Sequence, residues 1–267
     1  MHTTYSDGIS TPSEIVAKAR EAGLGIISIT DHDSLGALPE ARRHGEQYGV
    51  EVISGIEFGA TLNSREVHII GYFVDPDSDE LNSAVERFRE ERLQRAHRMV
   101  TKLNALNVAL HIDAVLESAG EGAIGRPHIA RALVNCGLTD SYYQAFNKYI
   151  SDSGPAYERR AENPVSDIIG LISRAKGLSV LAHPGRTLTE AELLTIIRSG
   201  IDGIEVKHPS HTPDLVKYYR GIVNQYYLVE TGGSDFHGGP KADDRNFGQY
   251  TISGEDIEAM ERRLPVT

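Results

Sequence analysis

The chain contains one cysteine, Cys136, and no tryptophan. A single thiol cannot build a disulfide framework or a cysteine-rich zinc module. No run approaches the roughly 18 uninterrupted apolar residues of a membrane span. The opening residues, Met1 to Gly8, are polar and do not read as a secretory leader. A soluble cytoplasmic protein without membrane partners is therefore expected. Basic residues are scarce, with 27 Lys and Arg against 38 Asp and Glu, a net charge of −11. Coating long nucleic acid requires a basic face, so that class is excluded. A small phosphorylated partner is not excluded, because bound metal ions supply local positive charge. No Gly-x-Ser-x-Gly and no Walker A sequence occurs, so nucleophilic serine or cysteine catalysis has no motif behind it. What the chain does have is histidine, 11 in all. Histidine is the commonest metal ligand and the usual proton shuttle.

At 267 residues the chain has room for about two domains, or one barrel-sized domain with an insertion. Thr11, Pro12 and Glu14 make a capping box with proline in the first turn. They predict a helix running to about Ala22 and stopping at Gly23. The β-branched run Ile26–Thr30 predicts a buried strand, followed by a helix over 35–48 and a strand over Val50–Ile56. Phe58–Leu62 and Val67–Val74 read as a strand pair joined by the polar turn Asn63-Ser64. From about Glu80 to Ser151 only helical signals occur, at 81–104, 112–119, 127–135 and 140–150. Asn163, read as a cap before Pro164, reopens an alternating pattern. It comprises a helix to Lys176, a strand at Leu178–Ala182, a helix over 189–199, a strand at Gly203–Val206, a helix over 213–224 and a strand at Tyr227–Glu230. Such alternation predicts a parallel sheet covered by helices. The expected organisation is α/β, with barrel parts at 1–80 and 164–267 and an inserted helical domain over 81–163.

The ligand-type side chains fall at the ends of these strands. Asp31-His32-Asp33 follows the first run, and Glu57 follows the second strand. His183, the pair His208 and His211, and the pair Asp235 and His237 follow the last three. His2 and Asp7 precede the first helix, where another strand would end, and His68 lies within its strand. In a parallel barrel the C-terminal strand ends converge on one mouth. Histidine and carboxylate ligands without thiolate suit Mn, Fe, Zn or Mg. Their number implies two to three divalent ions, which clamp phosphoryl oxygens and activate water at neutral pH. His44, His97 and His111 sit in charged contexts and read as solvated. Gly120, Gly122 and Gly125 match a dinucleotide-loop spacing but follow a helix, which sets that reading aside. Asp75, Asp77, Asp79 and Glu86 have EF-hand spacing, but Glu80 stands where the turn needs glycine. Cys136 reads as a small buried residue at a helix end.

Six blocks resemble the PHP family, the polymerase and histidinol phosphatase metal-dependent phosphoesterases. They are His2-Thr-Thr-Tyr-Ser-Asp7-Gly8, Thr30-Asp31-His32-Asp33, Gly55-Ile-Glu57, Val67-His68-Ile-Ile-Gly71, Ala182-His183-Pro184-Gly185-Arg186 and Gly233-Ser-Asp235-Phe-His237. The resemblance implies a distorted (β/α)7 barrel and a trinuclear metal centre, with manganese the foremost candidate. It implies one ion on His2, Glu57 and Asp235, a second on Glu57, His68 and His183, and a third on Asp7, His32 and His237. The family's first block is a His-x-His pair ending the first strand. Met1-His2 stands in its place, so the first strand reads as truncated, with its histidine expected upstream of Met1.

The helical insertion resembles that of one branch of the family. That branch removes the 3′-phosphate of nucleoside 3′,5′-bisphosphates and trims short RNA from its 5′ end. The matching residues are Gly125-Arg126-Pro-His128-Ile-Ala-Arg131, Phe146-Asn-Lys148-Tyr149 and Gly154-Pro155-Ala156-Tyr157. The resemblance implies that Arg126 and His128 bind phosphate, with Lys148 and Arg186 beside them and His208 and His211 at the mouth. The Gly-Arg-Pro turn would place Arg126 and His128 near an anion-attracting helix N-terminus. A hydroxide bridging the ions would attack phosphorus in line, Asp7, His208 and Arg186 would be catalytic, and His208 would protonate the leaving oxygen. Three alternatives stand beside this expectation: a histidinol-phosphate phosphatase, an amidohydrolase-type C–N hydrolase and a non-catalytic nucleotide-binding module. The sequence does not specify the oligomeric state.

Overall fold

The computed structural model describes residues 1–265. Helix α1 (Pro12–Glu21) starts where local chemistry dictates. The Thr11 hydroxyl accepts the Glu14 N–H, and the Glu14 carboxylate accepts the Thr11 N–H. Its buried residues Ile15, Val16 and Ala19 pack with β1 (Ile26–Ser28), α2 (Leu38–Tyr48) and β2 (Glu51–Ile53). The strand expected over Val50–Ile56 is two strands, because the chain turns at Ser54. The Ser54 hydroxyl donates to the Val74 carbonyl at 2.6 Å, and its carbonyl accepts the Phe73 N–H at 2.8 Å. Strands β3 (Gly55–Leu62) and β4 (Arg65–Tyr72) form the expected antiparallel hairpin. Asn63 and Ser64 both take positive φ, 47° and 64°, as a two-residue turn of this hand requires.

Helices follow: α3 (Asp79–Ala105), α4 (Ile112–Ala119), α5 (Arg126–Asn135) and α6 (Tyr142–Ala145), the last running into a π-helical turn at Phe146–Ile150. Met99, Leu103, Val115, Ile129, Leu133 and Ile150 give this block a core of its own. The first half of α3 packs elsewhere: Leu81, Ala84 and Phe88 join the apolar faces of β3, β4 and α7 (Val165–Arg174). Asn163 is not the cap of α7. Pro164 holds that position, and the Asn163 carbonyl instead accepts the Thr61 N–H at 2.6 Å, tying the segment to β3. Strand β5 (Leu178–Leu181), α8 (Glu190–Arg198), β6 (Gly203–Lys207), α9 (Pro213–Tyr226), β7 (Val229–Gly232) and α10 (Gly254–Glu261) complete the chain.

The sheet is not wholly parallel, and it is divided. Strands β1 and β2 pair in parallel as one sheet, and β3-β4-β5-β6-β7 form the other in that order. The hairpin reverses β4, so β3–β4 and β4–β5 are antiparallel, and parallel pairing resumes from β5 to β7. The two sheets meet where Glu57 and Asp31–Asp33 exchange main-chain hydrogen bonds of 3.1 Å. Met1 accepts the Thr30 N–H, and the His2 N–H donates to the Phe236 carbonyl. This puts His2 between the end of β1 and the segment after β7. Cys136 is exposed, not buried, because it is the C-cap of α5 and leads into a turn at Gly137. Among the described residues no helix is long and apolar enough to cross a membrane.

Candidate metal centre and the cavity beside it

The bridge between the sheets sets His32 next to Glu57, and the hairpin, which pairs His68 with Gly59, brings His68 diagonally alongside Glu57. One oxygen of Glu57 lies 2.6 Å from His68 Nδ1 and 3.0 Å from His183 Nε2. The other lies 3.1 Å from His2 Nε2, which is also 3.1 Å from Asp235 Oδ1. His237 Nε2 is 3.3 Å from Asp7 Oδ1. Three groups of side chains could each hold a metal ion: His2, Asp7, His32 and His237; His32, Glu57 and His68; His2, Glu57 and Asp235. The second group contains His32 where the family resemblance implies His183, and His183 joins the centre through its bond to Glu57.

The donor set fits divalent ions. His2 Nε2, Asp7 Oδ1, His32 Nδ1 and His237 Nε2 are buried and lack a hydrogen-bond partner, although nearly all buried polar atoms have one. Imidazole and carboxylate ligands of this kind suit Mn, Fe, Zn or Mg. Burial disfavours charge on His2, but the Asp235 and Glu57 carboxylates outweigh it and raise its pKa to about 9. Burial dominates at His32, whose pKa falls to about 3. Asp7 and Glu57 resist burial and stay well below the ordinary carboxylate range, because His237 faces the first and His32 the second.

The residues around the ligands hold their loops. Asp31 accepts the Thr3 N–H at 2.7 Å, the Thr3 hydroxyl at 2.5 Å and the Ser6 hydroxyl at 2.5 Å. Gly8 has no substitute in this loop, since a Cβ there would lie 2.4 Å from the His2 carbonyl oxygen. Asp33 turns the other way and binds Arg92 and Arg160. Of the Asp31-His32-Asp33 run, only His32 faces the centre.

A cavity of about 430 Å³ opens beside the centre. Asp7, His32 and His68 line one part of it. Arg92, Arg95, Arg126, Arg160 and Lys241, with Glu66, Tyr142, Tyr143 and Phe146, line most of the rest. Arg160 bonds Asp33 at 3.0 Å and Glu66 at 3.1 Å, which fixes its fork. The Nη2 atoms of Arg92 and Arg95 are buried without a partner. Burial, with Arg126 and Arg160 nearby, lowers the Arg95 pKa to about 10. Clustered guanidinium groups with unused donors are suited to phosphate.

The residues expected on the substrate side divide. Arg126 lines the cavity and bonds Asp152 at 2.5 Å. His128 Nδ1 accepts the Gly125 N–H and its Nε2 donates to the Ser6 carbonyl, each at 2.9 Å. Both ring nitrogens are thus occupied. His211 is likewise engaged, accepting the Gly185 N–H and donating to the Val206 carbonyl. His208 Nδ1 accepts the Ser210 N–H, and its buried Nε2 is unpartnered beside the His183 ring, 5.4 Å between centroids. Lys148 is exposed above Tyr149, and Arg186 is exposed on the turn after His183. Neither lines the cavity. Arg92, Arg95 and Arg160 escaped the sequence reading. Arg92 and Arg95 lie on the buried stripe of α3 between Phe88 and Met99, a phase meant for apolar residues.

The PHP domain model matches residues 1–229. The chain belongs to the PHP family. Among its PHP relatives, the 3′,5′-nucleoside bisphosphate phosphatase of Chromobacterium violaceum is 33% identical over 88% of this chain and 85% of that protein. The 5′-3′ exoribonuclease Rnm of Escherichia coli is 30% identical over 88% of this chain and 83% of that one. A solved structure from Bifidobacterium adolescentis, described as a metal-dependent phosphoesterase, superposes with a TM-score of 0.91 at 31% identity. It covers 99% of this chain, which covers 95% of it. This PHP protein is an enzyme, a hydrolase of phosphoric esters.

Proposed function

We propose that the protein removes phosphate from small nucleotides, taking the 3′-phosphate of nucleoside 3′,5′-bisphosphates, trimming short RNA in the 5′-3′ direction, or both. One observation carries this reading. A single cavity joins the candidate metal ligands Asp7, His32 and His68 to four arginines and three aromatic rings. Arginine forks suit phosphate, and aromatic rings suit a stacked base. A neutral substrate with a C–N bond to cleave would leave Arg95 and Arg126 without an anion to bind.

In this reading two to three divalent ions, manganese foremost, are held among His2, Asp7, His32, Glu57, His68, His183, Asp235 and His237. When bound they supply positive charge for the phosphoryl oxygens and acidify water. The chain's own groups do the rest. Arg95 and Arg126 bind phosphate, Arg92 and Arg160 hold the wall they stand on, and Tyr142 and Phe146 stack the base. His208 takes its Nδ1 bond from Ser210, so its proton sits on Nε2, and burial keeps the ring neutral with a pKa near 4. It serves as a hydrogen-bond donor to the leaving oxygen. The strands act as a barrel around the centre, and the helical block over 79–163 as its cap.

The test is a phosphate-release assay with added Mn²⁺. It compares adenosine 3′,5′-bisphosphate, histidinol phosphate and a short 5′-phosphorylated RNA. Turnover of the bisphosphate or the RNA well above histidinol phosphate is expected. Preference for histidinol phosphate would overturn the proposal.

A further inference from the structure

His183 carries its ring on an unusual backbone. Its φ is 28°, in the left-handed region that a residue with a Cβ adopts only when its surroundings enforce it. The turn passes through Pro184 to Gly185, where φ is 57°. Nothing within β5 imposes this shape, but three side chains from the stretch running from β6 through α9 do. Glu205, buried on β6, accepts the His183 N–H on Oε2 at 2.8 Å. His211 Nε2 accepts the Gly185 N–H at 3.0 Å, and its Nδ1–H donates to the Val206 carbonyl at 2.9 Å. Tyr219, on α9, donates its hydroxyl to the Gly185 carbonyl at 2.7 Å and stacks on the His211 ring, 5.2 Å between centroids. Room for Glu205 comes from Gly233, where a Cβ would lie 2.5 Å from the Glu205 Oε1.

We propose that Glu205, His211 and Tyr219 are positioning residues that clamp the His183–Gly185 turn and thereby set how firmly the centre binds divalent ions. None belongs to the ligand groups. Each spends the atom facing the turn on a main-chain partner. Released from the clamp, residue 183 would relax toward negative φ and carry its ring away from Glu57. Outer partners that orient metal ligands typically govern affinity by about 10- to 100-fold. The inference rests on His183 being a ligand, as the proposed function holds.

The test uses the metal-free full chain, without substrate. Mn²⁺ affinity is measured by competition with a chromophoric chelator, and the absorption spectrum of the Co²⁺-loaded protein reports ligand geometry. Glu205→Ala should weaken Mn²⁺ binding about 10- to 100-fold. Glu205→Gln keeps an acceptor for the His183 N–H and should bind like the parent. Tyr219→Phe should weaken binding and shift the Co²⁺ spectrum while the melting temperature of the metal-free protein stays put, so it decides the matter if Glu205→Ala fails to fold. His183→Ala is the control and should also bind weakly. Parent-like binding by Glu205→Ala and Tyr219→Phe beside a weakened His183→Ala would overturn the clamp alone. Glu205→Gln as weak as Glu205→Ala would show that charge, not the hydrogen bond, matters, and would also overturn it. A parent-like His183→Ala would overturn the clamp and the ligand role together.

Discussion

Glu57 takes His68 and His183 on one oxygen and faces His2 with the other. Replacing such a carboxylate, or Asp235, should release metal rather than merely slow the reaction. Asp235→Ala is expected to abolish phosphate release and to lower bound Mn²⁺ in parallel, measured by elemental analysis of the dialysed protein. Full activity in that variant would remove Asp235 from the centre. Arg95 should behave differently. It lines the cavity with an unpartnered Nη2, and a hydrogen bond from a charged group contributes about 1.5–3 kcal/mol. Arg95→Ala should therefore raise KM for a nucleoside bisphosphate about 10- to 100-fold with kcat nearly unchanged, in steady-state kinetics. His128 joins the start of α5 to the loop carrying Asp7, through Gly125 and Ser6. His128→Ala should cost about 1–3 kcal/mol in chemical denaturation, because it strands the buried Ser6 carbonyl and the part-buried Gly125 N–H.

At the scale of elements, a buried ionic cluster ties the helical block to the strands beside the apolar packing of the first half of α3. Asp33 stands at the end of β1 and receives Arg92 from α3 and Arg160 from the segment after the π-helical turn. Removing one member of a buried ion pair typically costs about 3–5 kcal/mol, since the remaining charges lose their partner. Asp33→Ala should lower stability by that amount, read as a shift in the urea midpoint. The docking segment is also tight. A Cβ on Gly122 would lie 2.7 Å from the Thr4 carbonyl oxygen and 2.9 Å from that of Ser6. Of the three glycines with dinucleotide-loop spacing, Gly122 thus serves close packing, while Gly120 takes a positive φ of 55° at the C-cap of α4. Elements with local signals were legible in the sequence. The capping box of α1 and the Asn63-Ser64 turn act within a few residues, and α4 falls on its expected span. The eight candidate metal ligands stood out within recognisable blocks, seven read at expected strand ends and His68 within its strand, although Glu57, read as following a strand, lies inside β3. The arginine wall was not, because its partners Asp33 and Glu66 lie 59 and 94 residues away along the chain, for Arg92 and Arg160 respectively. Nor were the bonds that tie up His128 and His211, since a ring's neighbours depend on how the segments fold together.

Across the whole molecule, charge is unevenly used. The net charge is −11, yet the cavity carries four arginines, so an anion meets a cationic wall inside an acidic protein. Protons compete with metal at the centre. Neighbouring carboxylates, against the pull of burial, raise His2 to about 9 and His68 to about 10. A raised histidine contributes stability below its unfolded pKa of about 6.5 and loses it as pH rises through the folded value. The metal-free protein should therefore melt at lower temperature as pH climbs from about 6.5 to about 10. Mn²⁺ binding needs neutral imidazoles, so its stabilising effect should grow over the same range. A metal-free melting temperature that does not fall over this range would contradict the first, and a profile unchanged by Mn²⁺ would contradict the second.

The central claim is that one cavity joins the metal centre to a wall that reads a nucleotide. The most direct measurement is a crystal structure of the Mn²⁺-loaded protein with adenosine 3′,5′-bisphosphate or its product, using anomalous scattering to locate the ions. The account predicts manganese among His2, Asp7, His32, Glu57, His68, His183, Asp235 and His237, the base against Tyr142 or Phe146, and a phosphate on Arg95 or Arg126. A nucleotide bound outside this cavity, or manganese bound away from these side chains, would contradict it.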